Sequence, residues 1–280
     1  MKTDTTKKRY EDSPRNPYLK NYNEKLFQTY QKGAEQGNAS DINNLGICYQ
    51  KGKGTEKNHL KAMQCYLRAA RMDYAPAMFN LGLAMCREGQ TCRKGLEESL
   101  YWFDMAAERG IPEAFWEMGN AYHDGLGTNV SYEDALRWFK MGMDRGDAAC
   151  KCDYALMMFK GEGIPEDEAG AVALWKEASD DADSGATFYL GCCYQNGYGG
   201  VRKNLMKAAE LFERADILGN ANADETLEQM LKDHPLFNLV WKLHKARHNW
   251  RYTFTMIKNK RKWKKLQSKN SLESLLKHLQ

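Results

Sequence analysis

His244 and His248 lie four residues apart, the spacing of two metal ligands on one helical face. A zinc site would need thiolates or carboxylates beside them. Lys242, Lys245, Arg247 and Arg251 surround the pair instead and oppose a cation, so no metal site is expected. Asp180, Asp181 and Asp183 also cluster, but without the ligand spacing of a calcium loop; a solvated turn accounts for them. The glycine pairs Gly52/Gly54, Gly125/Gly127, Gly161/Gly163 and Gly197/Gly199 invite a phosphate-binding reading. No strand pattern precedes them, and no G-x-G-x-x-G or G-K-[ST] follows. No Ser or Cys sits in a nucleophile motif. Cys48, Cys65, Cys86, Cys92, Cys150, Cys152, Cys192 and Cys193 form no C-x-x-C and are expected as reduced thiols. Neither catalysis nor a cofactor is expected.

The densest chemistry is cationic. Lys258, Lys260, Arg261, Lys262, Lys264 and Lys265 surround Trp263 in 258-KNKRKWKKLQSK-269. Such a run neutralises phosphates while its aromatic stacks on a base, which suits a nucleic-acid partner. It equally suits nuclear import, an acidic protein or an anionic membrane. A solvated face, or a tail folded on the protein's own body, is the plain alternative. Residues 235–280 hold twelve Lys/Arg and one acidic residue, Glu273, a charge of +11. Subtracting this from the whole-chain +4 leaves −7 for residues 1–234. An acidic body therefore carries a basic extension.

The first twenty residues have no apolar stretch of the kind a secretion signal needs, and Asp4, Glu11 and Asp12 argue against a transit peptide. No window is apolar enough to span a bilayer. The cytoplasm is the expected compartment, with the nucleus as the alternative.

What positions these residues is a repeat. One column holds Leu45, Leu81, Met118, Tyr154 and Leu190, at intervals of 36, 37, 36 and 36 residues. The next holds Gly46, Gly82, Gly119, Ala155 and Gly191; three positions on stand Tyr49, Met85, Tyr122, Met158 and Tyr194. Large, small and large side chains at i, i+1 and i+4 describe one helix face with a notch. A Gly in a helix costs about 1 kcal/mol relative to Ala, so a close helix approach is implied. A second helix follows each glycine loop, marked by Ala62/Tyr66/Ala69, Ser99/Phe103/Ala106, Ala135/Phe139/Gly142, Ala171/Trp175/Ala178 and Ala208/Phe212/Ala215. Tyr30 falls 36 residues before Tyr66, so residues 22–37 are expected as a lone second helix, and 224–231 as a final first helix. Residues 1–21 are expected as a flexible leader, 22–234 as a repeat solenoid and 235–280 as a basic, mainly helical extension. In that extension Leu236, Leu239, Val240 and Leu243 recur at helical spacing, and Trp250, Phe254 and Ile257 also suit a helix. Trp250, Tyr252, Phe254 and Met256 alternate as a strand would; the all-helical context favours helix.

The columns A-x-A, L-G-x-x-Y, G-x-G and A-x-x-x-[WFY]-x-x-A, with a closing Gly, resemble the Sel1-like repeat family over residues 22–231. The resemblance implies an all-α, right-handed solenoid of about five helix-turn-helix repeats acting as a non-enzymatic scaffold. Glu88-Gly89-Gln90 departs from G-x-G, and Ala155 stands where the family has Gly. First helices line the concave side of such a stack, where partners bind. Asn43, Phe79, Trp116, Asn120, His123, Phe159 and Phe188 are the candidates there for holding a protein segment. The family commonly has an aromatic at the Trp116 position for packing, which is the competing role.

Overall fold

The computed structural model describes residues 17–89 and 93–258, and every regular element among them is helical. Helix α1 runs Pro17–Glu35, beginning five residues before the expected 22. The repeats follow as α2 (Ala39–Lys51) and α3 (His59–Ala70), α4 (Ala75–Gly89) and α5 (Arg93–Glu108), α6 (Pro112–Asp124) and α7 (Tyr132–Met143), α8 (Ala148–Lys160) and α9 (Glu168–Asp180), then α10 (Ser184–Asn196) and α11 (Leu205–Ile217). A 3-10 turn at Tyr198–Gly200 separates the last pair. Helices α12 (Ala223–Asp233) and α13 (Pro235–Lys258) complete the described residues, so the ambiguous 250–256 is helix. The described residues divide into two compact units, with the boundary between Ala186 and Thr187.

Local sequence sets these boundaries. Second helices α3, α7, α9 and α11 start where Asn58, Ser131, Asp167 and Asn204 accept a hydrogen bond from the amide three residues on. Asn38 and Asp147 do the same for α2 and α8. First helices α2, α6 and α8 end at Gly52, Gly125 and Gly161, all in the left-handed region. One backbone bond then fixes each loop. The amide of Asn58, Ser131 or Asp167 donates to the carbonyl of Tyr49, Tyr122 or Met158 at 2.8–3.0 Å. Asn204 repeats it on Tyr194 at 2.7 Å. The second glycine of the loop has a further task. At Gly127, with φ of +73°, an added Cβ would lie 2.6 Å from the carbonyl carbon of Leu96, so the preceding repeat's backbone presses there.

The notch in each first helix takes the aromatic ring of its second helix. Tyr66, Phe103, Phe139, Trp175 and Phe212 are all at most 2% exposed. A Cβ at Gly46 would lie 2.6 Å from Tyr66, one at Gly82 2.7 Å from Phe103, and one at Gly191 2.8 Å from Phe212. At Gly119 the ring of Phe139 sits closer still. Repeat four pairs Ala155 with Trp175, whose indole Nε1 donates to the Cys152 carbonyl at 3.1 Å. The larger ring thus has an anchor of its own beside the shallower notch.

In the first unit one core runs from Ala34 through Leu81 and Phe115 to Met157. In the second, Ala208, Phe212, Leu227, Met230 and Trp241 form a core. Helix α13 enters it through Trp241 and Phe237, whose rings stack at 6.4 Å. Leu236, Leu239, Val240 and Leu243 on the same helix stay 48–85% exposed.

Candidate protein-binding face

The seven residues singled out on the first helices divide between packing and surface. Asn43 is buried, and its Oδ1 accepts from Asn80 Nδ2 of the next repeat at 2.9 Å. Phe79 lies half-buried on Phe103, Phe159 on Trp175 and, in the second unit, Phe188 on Phe212, with ring centroids 5.4–5.8 Å apart. These rings spend much of their area inside their own repeats. Trp116 is half-buried, and its Nε1 donates to Asp153 Oδ2 at 2.6 Å. Asn120 lies one turn further along α6, also half-buried.

His123 comes another turn on and is held from both sides. Its Nδ1 lies 2.6 Å from Asp124 Oδ1 and its Nε2 3.1 Å from Glu162 Oε2, with Tyr132 against the ring at 5.4 Å. Burial pulls its pKa down, but hydrogen bonds to the two carboxylates outweigh this and raise it. Two acceptors suit the doubly protonated ring, which donates from both nitrogens. Asp153 moves the same way for another reason. Burial pushes its pKa up to about 6, helped by the nearby Asp183 and opposed by the Trp116 hydrogen bond.

A second site emerges beside Asn80. Ile47, Gln50, Lys51, Lys57, His59, Asn80 and Leu83 line a cleft of about 450 Å³ between α2 and α4. Ile47 and Leu83 supply the apolar surface. Lys51, Lys57 and His59 supply the charge and donors. Gln50 is held by the Tyr66 hydroxyl, which donates to its Oε1 at 2.9 Å. Moving each residue 73 positions on, two repeats later, gives Asn120, His123, Asp124, Val130, Tyr132, Asp153 and Leu156. The cross-repeat bond moves with them, since Asn43/Asn80 becomes Trp116/Asp153. One structural position therefore carries cations near α2 and carboxylates near α6.

Sequence reasoning missed Lys51, Lys57, Asn80 and Asp153. The signal was available in the column before the leucines, which reads Asn44, Asn80, Glu117, Asp153 and Tyr189. It is the polar neighbour of an aromatic column, at the same period. Of the cationic run, Lys258 ends α13, while Lys260, Arg261, Lys262, Trp263, Lys264 and Lys265 lie outside the described residues. His244 stacks on Trp241 at 5.6 Å, with Nε2 3.7 Å from Glu210; the side chain of His248 lies outside the described residues. No described helix is long and apolar enough to cross a membrane.

The Sel1 repeat family model matches residues 39–74, 75–111, 112–147, 148–183 and 184–215. The chain belongs to the Sel1 repeat family. Its solved relatives include a Sel1 repeat protein from Oxalobacter formigenes, 27% identical with a TM-score of 0.60, over 72% of this chain and 86% of that one. A protective antigen of uropathogenic Escherichia coli with an SLR fold is also 27% identical, with a TM-score of 0.61, over 78% of this chain and 48% of that one. The mouse protein DAP3-binding cell death enhancer 1 is 24% identical over 205 residues, which are 73% of this chain and 32% of that protein. The chain thus spans about a third or less of the curated relatives it matches. Within this Sel1 repeat array, the first two repeats make the basic cleft, and the third and fourth carry its acidic counterpart.

Proposed function

We propose that this Sel1 repeat protein is a non-enzymatic adaptor that holds a segment of a partner protein on the face made by its first helices, the side expected to be concave. The observation behind the reading is the cleft between α2 and α4. An apolar floor of Ile47 and Leu83, rimmed by Lys51, Lys57 and His59, suits a segment that buries one apolar side chain and presents carboxylates beside it. Asn80 and Gln50 offer amide groups for the partner's backbone. The mouse relative is named for binding another protein, which agrees with a binding role for the repeats. The basic extension supplies a separate anionic contact.

A peptide-library selection on the full chain tests the reading. Wild type is expected to enrich acidic sequences with an apolar residue, and Lys51→Glu with Lys57→Glu should lose them by about tenfold or more. Both lysines are exposed, so the fold should remain, as circular dichroism would verify. Enrichment of the same sequences by both proteins would count against this face.

A further inference from the structure

Helix α13 has two apolar faces, and only one is covered. Phe237 and Trp241 pack into the second unit's core. Lys245 pairs with Glu213, and His244 stacks on Trp241 near Glu210, on that same side. Leu236, Leu239, Val240 and Leu243 point elsewhere, at 85%, 57%, 50% and 48% exposure. Their spacing of three, one and three residues makes a continuous stripe on a helix. In the sequence the spacing resumes at Trp250, Phe254 and Ile257.

Along the helix itself the charge has one sign, although Glu210 and Glu213 face its packed side. From Pro235 to Lys258 the helix contains Lys242, Lys245, Arg247, Arg251 and Lys258 and no Asp or Glu. Six more Lys/Arg follow between residues 260 and 269. A second copy pairing through its own α13 would bring two cationic helices together, which repel; one docking its acidic repeat body there is the dimer that sedimentation separates. A nucleic acid would neutralise the cations and could admit a single wedge between bases, but it offers no continuous apolar surface for Leu236, Leu239, Val240 and Leu243 together. Only a surface both anionic and apolar beneath its charges satisfies both features. A lipid leaflet with anionic headgroups has that composition, and a helix with a leucine stripe flanked by cations partitions into its interface.

We propose that α13 is a membrane-surface helix, inserting the Leu236–Leu243 stripe into an anionic leaflet while Phe237 and Trp241 tether it to the repeats. This deepens the reading of the basic extension and does not depend on the α2–α4 cleft, so each can fail alone.

Vesicle flotation of the full chain decides it. Wild type is expected to float with phosphatidylcholine vesicles containing about a third phosphatidylserine, and to bind pure phosphatidylcholine about tenfold or more weakly. Leu239→Glu with Leu243→Glu should reduce flotation about tenfold or more, since both sites are exposed and buried only in lipid. Leu60→Glu, at a 67% exposed leucine on α3, should float as wild type. Equal flotation of the double variant and wild type would overturn the proposal, leaving charge alone as the attraction. So would absence of flotation, whether the double variant then abolished a dimer in sedimentation or the chain were instead retained by RNA.

Discussion

Asp153 and His123 lie close enough to interact electrostatically, and each holds its proton more tightly in the folded chain than in the unfolded one. For Asp153 the folded pKa of about 6 stands above the ordinary 3.8 because burial disfavours the carboxylate. The native state then binds more protons than the unfolded state between those values. Stability from this group is full below about pH 4 and is lost as pH rises through about 6. A shift of about two units corresponds to roughly 3 kcal/mol as an order of magnitude. His123, raised by Asp124 and Glu162, adds stability below its ordinary pKa and loses it as pH climbs through the raised value. Asp153→Asn keeps an oxygen for Trp116 Nε1 and removes the ionisation. Chemical denaturation at pH 4 and pH 7 should show a smaller loss on raising pH than in wild type, and an unchanged pH dependence would mean another group carries it.

At the scale of the element, the helix pair is held by a ring in a notch. Phe139 fills the notch over Gly119, so Phe139→Ala should cost about 3–5 kcal/mol in a denaturant melt. Gly119→Ala sets two effects against each other. Helix propensity gains about 1 kcal/mol, while crowding a packed ring costs about 1–3 kcal/mol. Net destabilisation is expected; a more stable variant would show that the ring has room to move. These pairs were legible in the sequence because side-chain size repeats at a fixed interval, and Leu81, Gly82 and Phe103 do the same work as their counterparts. The face was less legible. Asn80 and Asp153 bond to residues 37 positions earlier, across a repeat boundary, and nothing in a one-repeat pattern announces a partner there. Phe79 and Phe159 misdirect for the opposite reason, since an aromatic at a regular interval suits a groove and a core equally well. In α13 the periodicity shows the Leu236 stripe and also Phe237 and Trp241, but helical spacing alone does not say which set is covered.

At the scale of the molecule, the chain divides into two compact units at residues 186 and 187, inside the fifth repeat match of 184–215. Stacked repeats gain stability chiefly from their neighbours. A lesion should therefore be felt locally before it is felt at a distance. Hydrogen exchange of Phe139→Ala is expected to lose protection first in α6, α7 and α8, with α11 and α12 changing least. Equal loss throughout would mean that the chain opens as one cooperative body.

The two equivalent positions, cationic near α2 and anionic near α6, give the first-helix face a head and a tail. The two positions lie two repeats apart, so a single extended segment spanning several residues is needed to touch both. A bound strand carrying acid at one end and base at the other would meet complementary charge in one direction and like charge in the other. The face would then distinguish a sequence from its own reversal, a selectivity of direction that neither position possesses alone.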